Sequence, residues 1–365
     1  MTTGKVLVAG HRERQGDSAV ASLVTGGGGF IGRHLVRQLL ARGDAVRVVD
    51  KAEIEDLDER AEFVRGSVLD QGLMRDALGG VDRLFHLAAN PDLWSADKSS
   101  FYAINYEGTR TVLEAARRSG VARVVYTSTE SILKSRRHRR NFGPIDETIE
   151  LTVEDMPGPY CRSKFLAEQA AMAAASDGLP IVIVNPTLPV GPGDFRLTPP
   201  TQMILDFLNG DNPAYIDCEF NMVDVRLAAL GHILAAERGR IGERYILGGE
   251  NLRLSQILDM LGQITGLPMP ARRIPYAVAL VTAAVSEFVS DHITRRPPRA
   301  SLTGVRLAGS PMIFDCSKAV RELGLPYASV RAALVDAVEW LVSRGLVRRR
   351  MPTATSILAA RGSES

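Results

Sequence analysis

The chain has 365 residues, 45% hydrophobic and 24% charged, with a formal net charge of +2. That balance suits a globular protein, excludes a low-complexity chain and offers no basic excess for nucleic acid as a partner. Three cysteines (Cys161, Cys218, Cys316) without metal-ligand spacing argue against a disulfide framework, so a reducing cytoplasm and no metal are expected.

The opening MTTGKVLVAG, followed by HRERQGD, is too short in its apolar part for a secretory signal, and its polar flank is on the wrong side. GKVLVAG resembles a first strand, but no helix follows it. Residues 1–20 therefore read as an N-terminal extension. Ala21 to Thr25 reads as a strand, then come glycines and a helix from Ile31 to Arg42. Ala45 to Asp50, Glu62 to Val64 and Val81 to Ala88 read as the next strands. A helix from Asn105 to Ser119 precedes a strand from Val121 to Ser128. A second helix, Tyr160 to Ala175, precedes the strand Ile181 to Asn185. Apolar strands alternating with helices predict an α/β fold with a doubly wound, Rossmann-like parallel sheet covered on both faces. After Pro186 the alternation breaks. Pro186, Pro189, Pro192, Pro199 and Pro200 mark a loop region. Helices from Ser255 to Thr265 and Ser329 to Ser343, and a strand from Arg244 to Leu247, follow. The expected organisation is a dinucleotide domain over 21–190, with 221–248 returning to its sheet. A smaller interleaved substrate region over 191–350 and a disordered tail over 351–365 complete it. No run reaches the roughly 18 apolar residues of a membrane span.

Gly26, Gly29 and Gly32 lie between a strand and a helix at G-x-x-G-x-x-G spacing. The first glycine permits a tight turn. The second admits a pyrophosphate at the helix N-terminus, where backbone N–H groups are unpaired. The third lets the helix pack closely on the sheet. Asp50 ends the second strand, where a carboxylate accepts ribose hydroxyls and repels a 2′-phosphate, so NAD is expected over NADP. Arg47 and Lys51 are nearby cations that soften this preference.

Tyr160 and Lys164 are four apart, on one face of a helix. A free tyrosine, with a pKa near 10, is only about one part in a thousand ionised at neutral pH. A nearby ammonium favours the phenolate, which can then take a proton from a substrate alcohol. The strand ending Tyr126-Thr127-Ser128-Thr129 brings hydroxyls to the ligand-facing end of the sheet. Thr129 is the candidate for binding the substrate oxygen, with Ser128 as the alternative.

From about Ser22 to Val347 the chain resembles an extended short-chain dehydrogenase/reductase, the group that contains epimerases, dehydratases and 3β-hydroxysteroid dehydrogenases. The stretches that carry the resemblance are TGGGGFIG, Asn105 to Thr109, YTSTE, Tyr160 to Lys164 and Asn185-Pro186-Thr187. It implies a catalytic triad of Thr129, Tyr160 and Lys164. It implies that Phe30 and Ile31 complete the cofactor turn and that Ala88 and Ala89 line the cofactor cleft. It places Pro186 and Thr187 near the nicotinamide amide, with Asn105 supporting the cofactor or a bound water. Gly66-Ser67-Val68 stands where the family usually has Gly-Asp, so Ser67 and Val68 take the adenine-binding position with fewer hydrogen bonds. Leu227 stands where relatives often carry an aspartate.

Asp92 to Trp94, Pro186 to Asp194, Asp206 to Gly210, Pro213 to Asp217, Glu237 to Asn251 and Ser317 to Gly324 resemble hopanoid-associated sugar epimerases and bacterial 3β-hydroxysteroid dehydrogenase-like proteins. Both branches imply polycyclic isoprenoid lipid metabolism. The apolar segment Ile274 to Val289, followed by Arg295, Arg296 and Arg299, reads as a core helix with a solvated basic loop, or as one lining an apolar cleft or touching a membrane. Arg272, Arg273 and Arg295 are candidates for clamping a sugar-nucleotide diphosphate.

Three functions follow. One is NAD-dependent oxidation of a ring alcohol on a sterol- or hopanoid-like lipid, with decarboxylation of a 4-carboxysterol where a carboxylate sits β to the ketone. Another is sugar epimerisation or dehydration. The third is a non-enzymatic dinucleotide sensor. The expected partner is a small lipid or sugar, and the expected assembly is a cytoplasmic homodimer with peripheral membrane contact.

Overall fold

Strand β1 (Ala21–Thr25) ends in the glycine turn, and α1 (Phe30–Ala41) returns along the sheet to β2 (Ala45–Asp50). These coordinates, a computed structural model, describe residues 19–134, 143–211, 214–270, 272–310 and 312–349. The expected tail lies outside the described residues, as does the expected extension up to residue 18. The chain continues through β3 (Glu62–Arg65), α2 (Gln71–Ala77) and β4 (Arg83–His86). Next come a short α3 (Ser99–Phe101), a π-turn over Tyr102–Glu107 and α4 (Gly108–Ser119), running on as one helical stretch. Then follow β5 (Arg123–Thr127), α5 (Pro159–Ser176) and β6 (Ile181–Pro186).

These strands form one parallel sheet ordered β10-β6-β5-β4-β1-β2-β3, in which β10 (Arg244–Leu247) pairs with β6. The order reverses between β1 and β4. Crossovers leave that point in opposite directions and open a crevice at the strand C-termini. One sheet face packs Val48, Phe85 and Val182 against Leu35 and Leu39 of α1 and Ile233 of α7 (Val225–Arg238). The other packs Leu23, Leu84 and Ile183 against Met74, Val112, Ala116, Ala167 and Ala171 of α2, α4 and α5. Alanines on α4 and α5 let those helices lie close to the strands.

The sequence reading placed a loop across Pro186 to Pro200. The structure instead finds β7 (Leu188–Val190) and, from Pro199, α6 (Pro199–Asn209). Pro189 is tolerated because β7 is an edge strand of a separate three-stranded sheet. Pro199 and Pro200 occupy the first helical positions, where no N–H is needed. A two-residue strand β8 (Ala214–Tyr215), β9 (Glu219–Asp224), β11 (Glu250–Arg253), α8 (Leu254–Thr265) and β12 (Arg272–Arg273) follow. Then come α9 (Tyr276–Val289), α10 (Leu302–Ala308) and α11 (Val330–Ser343). Ile204, Leu208, Ile257, Leu261, Leu334 and Val338 from α6, α8 and α11 bury a second core over Met222 of β9.

Gly32 sets the distance between α1 and its turn. A Cβ there would stand 2.3 Å from the Gly26 carbonyl oxygen and 2.8 Å from Gly27 Cα, both backbone atoms. Gly32→Ala is expected to cost about 1–3 kcal/mol in urea unfolding, the range for an overpacked site. Gly29→Ala, whose Cβ would meet only the Gly26 oxygen at 3.1 Å, is expected to cost less; equal costs would refute the packing role of Gly32.

Candidate active site

The crevice at the switch point is a cavity of about 640 Å³. Gly26, at φ 73°, makes the turn that begins it. Its N–H donates to the Val49 carbonyl, and a Cβ on it would stand 2.7 Å from the Ala88 nitrogen. Only a glycine lets β1 turn this close to the chain leaving β4. No side chain caps the N-terminus of α1. Its first N–H groups therefore have no intrahelical or capping partner, the arrangement that binds a phosphate. Gly29, Phe30, Ile31 and Gly32 line the cavity there.

Asp50, Ser67, Val68, Ala88, Ala89, Pro186 and Thr187 line the same cavity. Asp50 Oδ2 accepts the Gly28 N–H at 3.0 Å, so this carboxylate also braces the glycine turn. Of the two cations beside it, Lys51 reaches the cavity. Arg47 is turned away onto Glu62 and the carbonyls of Ala77 and Gly79. Ser67 Oγ accepts the Leu69 N–H, which leaves its hydroxyl proton for a ligand. These residues fit a dinucleotide: a bare helix terminus, a strand-end carboxylate and an apolar slot formed by small side chains.

Asn105 stands elsewhere. It is buried and is not among the cavity-lining residues. Its Oδ1 accepts the Asn90 N–H, and its Nδ2 donates to the Asn90 carbonyl and to Ser163 Oγ. With its amide so occupied, Asn105 ties the loop after β4 to the first turn of α5.

Thr129, Tyr160 and Lys164 meet on one wall of the cavity. Pro159 starts α5, and the i, i+4 spacing carries Tyr160, Lys164 and Glu168 down one side of it. The Tyr160 phenol hydrogen-bonds the Thr129 hydroxyl, and burial pushes its pKa well up. Lys164 Nζ donates to the Thr127 carbonyl at 2.7 Å and to Tyr126 Oη at 3.0 Å. Burial lowers Lys164 to about 7, and the Glu168 carboxylate opposes that shift. Ser128 Oγ is buried, lines the cavity and has no hydrogen-bond partner among the described residues. A buried hydroxyl without a partner is costly unless a ligand satisfies it.

The sequence reading did not single out four supports of this wall: Glu130, Lys134, Glu168 and Asn185. Glu130 is buried and accepts from Thr129 Oγ1, Ser131 Oγ and Lys134 Nζ, the last at 2.8 Å. Both Glu130 and Lys134 line the cavity. Asn185 donates to the Thr129 carbonyl and to Glu168, and so holds the end of β5. The Glu130–Lys134 spacing of four was visible, but it follows a strand end rather than lying in a regular helix. The remaining cavity wall is mostly apolar: Leu93, Met203, Ile216, Phe220, Leu254, Leu307 and Met312. None of the arginines proposed as a diphosphate clamp is a lining residue. Arg273 instead pairs with Asp217 at 3.3 Å and Tyr215 Oη at 3.0 Å. Arg196 is the arginine that reaches the cavity among the described residues.

The family model described as NAD dependent epimerase/dehydratase matches residues 22–248. The chain is 41% identical to a Synechocystis protein that carries a provisional dihydroflavonol 4-reductase name, over 89% of this chain and 95% of that one. It is 36% identical to sterol demethylase protein B of Methylococcus capsulatus, over 90% of this chain and all of that one. It is 31% identical to the decarboxylating sterol-4-alpha-carboxylate 3-dehydrogenase of Mus musculus, over 82% of this chain and 85% of that one. Among solved structures it is similar to the Streptomyces venezuelae dTDP-glucose 4,6-dehydratase with NAD and TYD bound. That likeness has a TM-score of 0.72 and 29% identity, over 90% of this chain and 99% of that one.

Lys164 gives a pH signature. Its value of about 7 lies below the ordinary 10.5. Between the two, the unfolded chain binds more protons than the folded one, so this group makes stability rise as pH rises through that window. Urea unfolding is expected to show the rise in the wild type and a flatter profile in Lys164→Met. An unchanged slope would show that Lys164 is not the buried titrating group.

Proposed function

We propose that this chain, which belongs to the NAD-dependent epimerase/dehydratase family and is an NAD-dependent oxidoreductase, oxidises a ring secondary alcohol on a polycyclic isoprenoid lipid. The observation that carries the reading is the apolar wall beyond the triad, where Met203, Ile216, Phe220, Leu254, Leu307 and Met312 face the cavity. A fused-ring hydrocarbon buries its surface against such side chains at about 25 cal/mol per Å², whereas a sugar diphosphate calls for several cations. The identities to a sterol demethylase protein and to sterol-4-carboxylate dehydrogenases support the same substrate class.

Bound NAD supplies the hydride acceptor. The glycine turn, Asp50 and the Pro186–Thr187 segment would hold it, and the chain's own groups would handle the proton. Thr129 and Ser128 bind the substrate oxygen. Tyr160 takes its proton as general base. Burial disfavours the phenolate; in this reading the charge that favours it comes from the Lys164 ammonium one turn along α5, whose Nζ the Thr127 carbonyl and Tyr126 hydroxyl hold in place. When the product ketone has a β-carboxylate, the C–CO₂ bond breaks and its electron pair enters the ketone as an enolate. Tyr160, now protonated, is placed to return a proton to that oxygen.

A nucleotide-sugar epimerase or dehydratase is the second reading. Arg196 in the cavity and the fold shared with the dTDP-glucose 4,6-dehydratase favour it.

Net NADH separates the two. The protein, incubated with NAD and a 3β-hydroxysterol or its 4-carboxy derivative, is expected to release NADH with turnover, and CO₂ from the carboxylated substrate. Conversion of a nucleotide sugar without net NADH, and no reaction with any lipid alcohol, would overturn the lipid reading. Tyr160→Phe is expected to lower kcat at least about 10²-fold, within the range for a lost general base, with NAD affinity nearly unchanged. A variant as active as wild type would exclude Tyr160 as the base.

A further inference from the structure

Helix α9 reverses the usual arrangement of a surface helix. Its inner side, with Ala279 and Ala283, packs on Val305 of α10. Its outer side carries Val278, Val281, Val285 and Phe288 at positions three or four apart, with Ile293 just beyond. Val281 is 65% exposed, Phe288 60% and Ile293 71%. Large apolar groups scattered singly over a surface are normal; a contiguous stripe of them marks a contact site.

The charges around the stripe are sorted by side. The two acids of the segment, Glu287 and Asp291, are turned toward the protein. Glu287 accepts the Leu302 N–H at 2.7 Å, and Asp291 accepts Trp94 Nε1 at 2.7 Å and pairs with Lys98. Arg295, Arg296 and Arg299 follow the helix and are exposed. The exposed side of α9 is therefore an apolar stripe with no acid of the helix beside it, and the chain that leaves it carries three exposed arginines. This is the composition that an anionic bilayer surface accepts, acyl chains meeting the stripe and headgroups meeting the guanidinium groups.

Contrary to the expectation that no run is long enough, the helical segment Tyr276–Thr294 would by length and composition suffice to cross a membrane. Its attachments forbid that. The Ile274 N–H is bonded to the Tyr215 carbonyl, Leu302 is bonded to Glu287, and Ser290 is buried. Crossing would strip these contacts, whereas lying in the interfacial plane keeps them all.

We infer that the outer face of α9, with Arg295, Arg296 and Arg299, docks this protein on the surface of an anionic lipid bilayer. The position matters for the cavity. α10, which carries the inner side of α9, turns Gly304, Leu307 and Ala308 into the cavity. One helix thus separates the lipid-facing stripe from the apolar end of the site, and docking brings that end to the membrane. The docking itself stands apart from the lipid-alcohol reading above; only the delivery of substrate rests on that reading.

The test is co-flotation of the full chain with vesicles of phosphatidylcholine alone or of phosphatidylcholine mixed with phosphatidylglycerol. The wild type is expected to float with the mixed vesicles, less so at high salt. The double variant Val281→Asp/Phe288→Asp is expected to lose binding by about tenfold or more. Replacing the three arginines by glutamine is expected to remove the preference for phosphatidylglycerol. All five side chains are exposed, so NAD binding and the thermal midpoint are expected to stay as in the wild type, which separates lost docking from lost folding. Wild-type protein that stays in the aqueous fraction with both vesicles, or a double variant that floats like wild type, overturns the inference. So does a wild-type dimer in sedimentation that the double variant dissociates without any vesicle binding, since a second copy would then cover the face. Flotation without turnover of any lipid alcohol would leave docking standing and remove the lipid reading.

Discussion

The close approach of two backbone segments at the switch point governs this site. β1 must end, turn and start α1 within the space left by the chain leaving β4. At Gly26 an added Cβ would come within 2.7 Å of the Ala88 backbone, and at Gly32 within 2.3 Å of the turn itself. The turn thereby delivers the bare N-terminus of α1 and the strand-end Asp50 to one cleft. The Asp50 bond to the Gly28 N–H then locks the carboxylate to the turn. The carboxylate that faces the cleft thus also fixes the turn that opens it.

A second constraint is electrostatic. The cavity wall that carries Tyr160 and Lys164 holds a phenol and an amine from neighbouring turns of α5, and burial works against the charged form of each. The structure answers with fixed dipoles and a counter-charge. The Thr127 carbonyl and the Tyr126 hydroxyl hold Lys164 Nζ, and Glu168 lies one helical turn below. Glu168 is itself tied to Asn185, which also holds the Thr129 carbonyl. Through Glu168 and Asn185 the surroundings of Lys164 are thus tied to the Thr129 backbone. A network of this kind resists piecemeal substitution, because loss of one member leaves a buried partner unsatisfied. His86 shows the cost of the arrangement: fully buried beside Lys164, it is pushed down to about 3.

Much of this was legible in the sequence for physical reasons. Parallel strands buried on both faces read as apolar runs, so β1, β2, β5, β6 and β10 were found within a residue or two of their observed bounds. The Gly26–Gly32 spacing and the Tyr160–Lys164 pair are local patterns with local geometry. The region after Pro186 read poorly because proline has two meanings. It ends most elements, but it also sits on edge strands and in first helical turns, and only pairing and helix start distinguish these. Asn105 reads from its motif as a support of the cofactor or of a bound water; that its amide also engages Asn90 and Ser163, fifteen and fifty-eight positions away, no local pattern shows.

The sequence by itself determined the α/β class and the local patterns of the glycine turn and the Tyr160–Lys164 spacing, because those depend on residues within a few positions of each other. The tertiary structure alone decided what surrounds them. It placed Glu130 and Lys134 in the cavity and left Arg272 and Arg273 out of it. It also left the apolar side of α9 outside the core. Periodicity says that a helix has an apolar stripe, but the stripe's direction is set by packing partners far along the chain, here Val305 and Leu302.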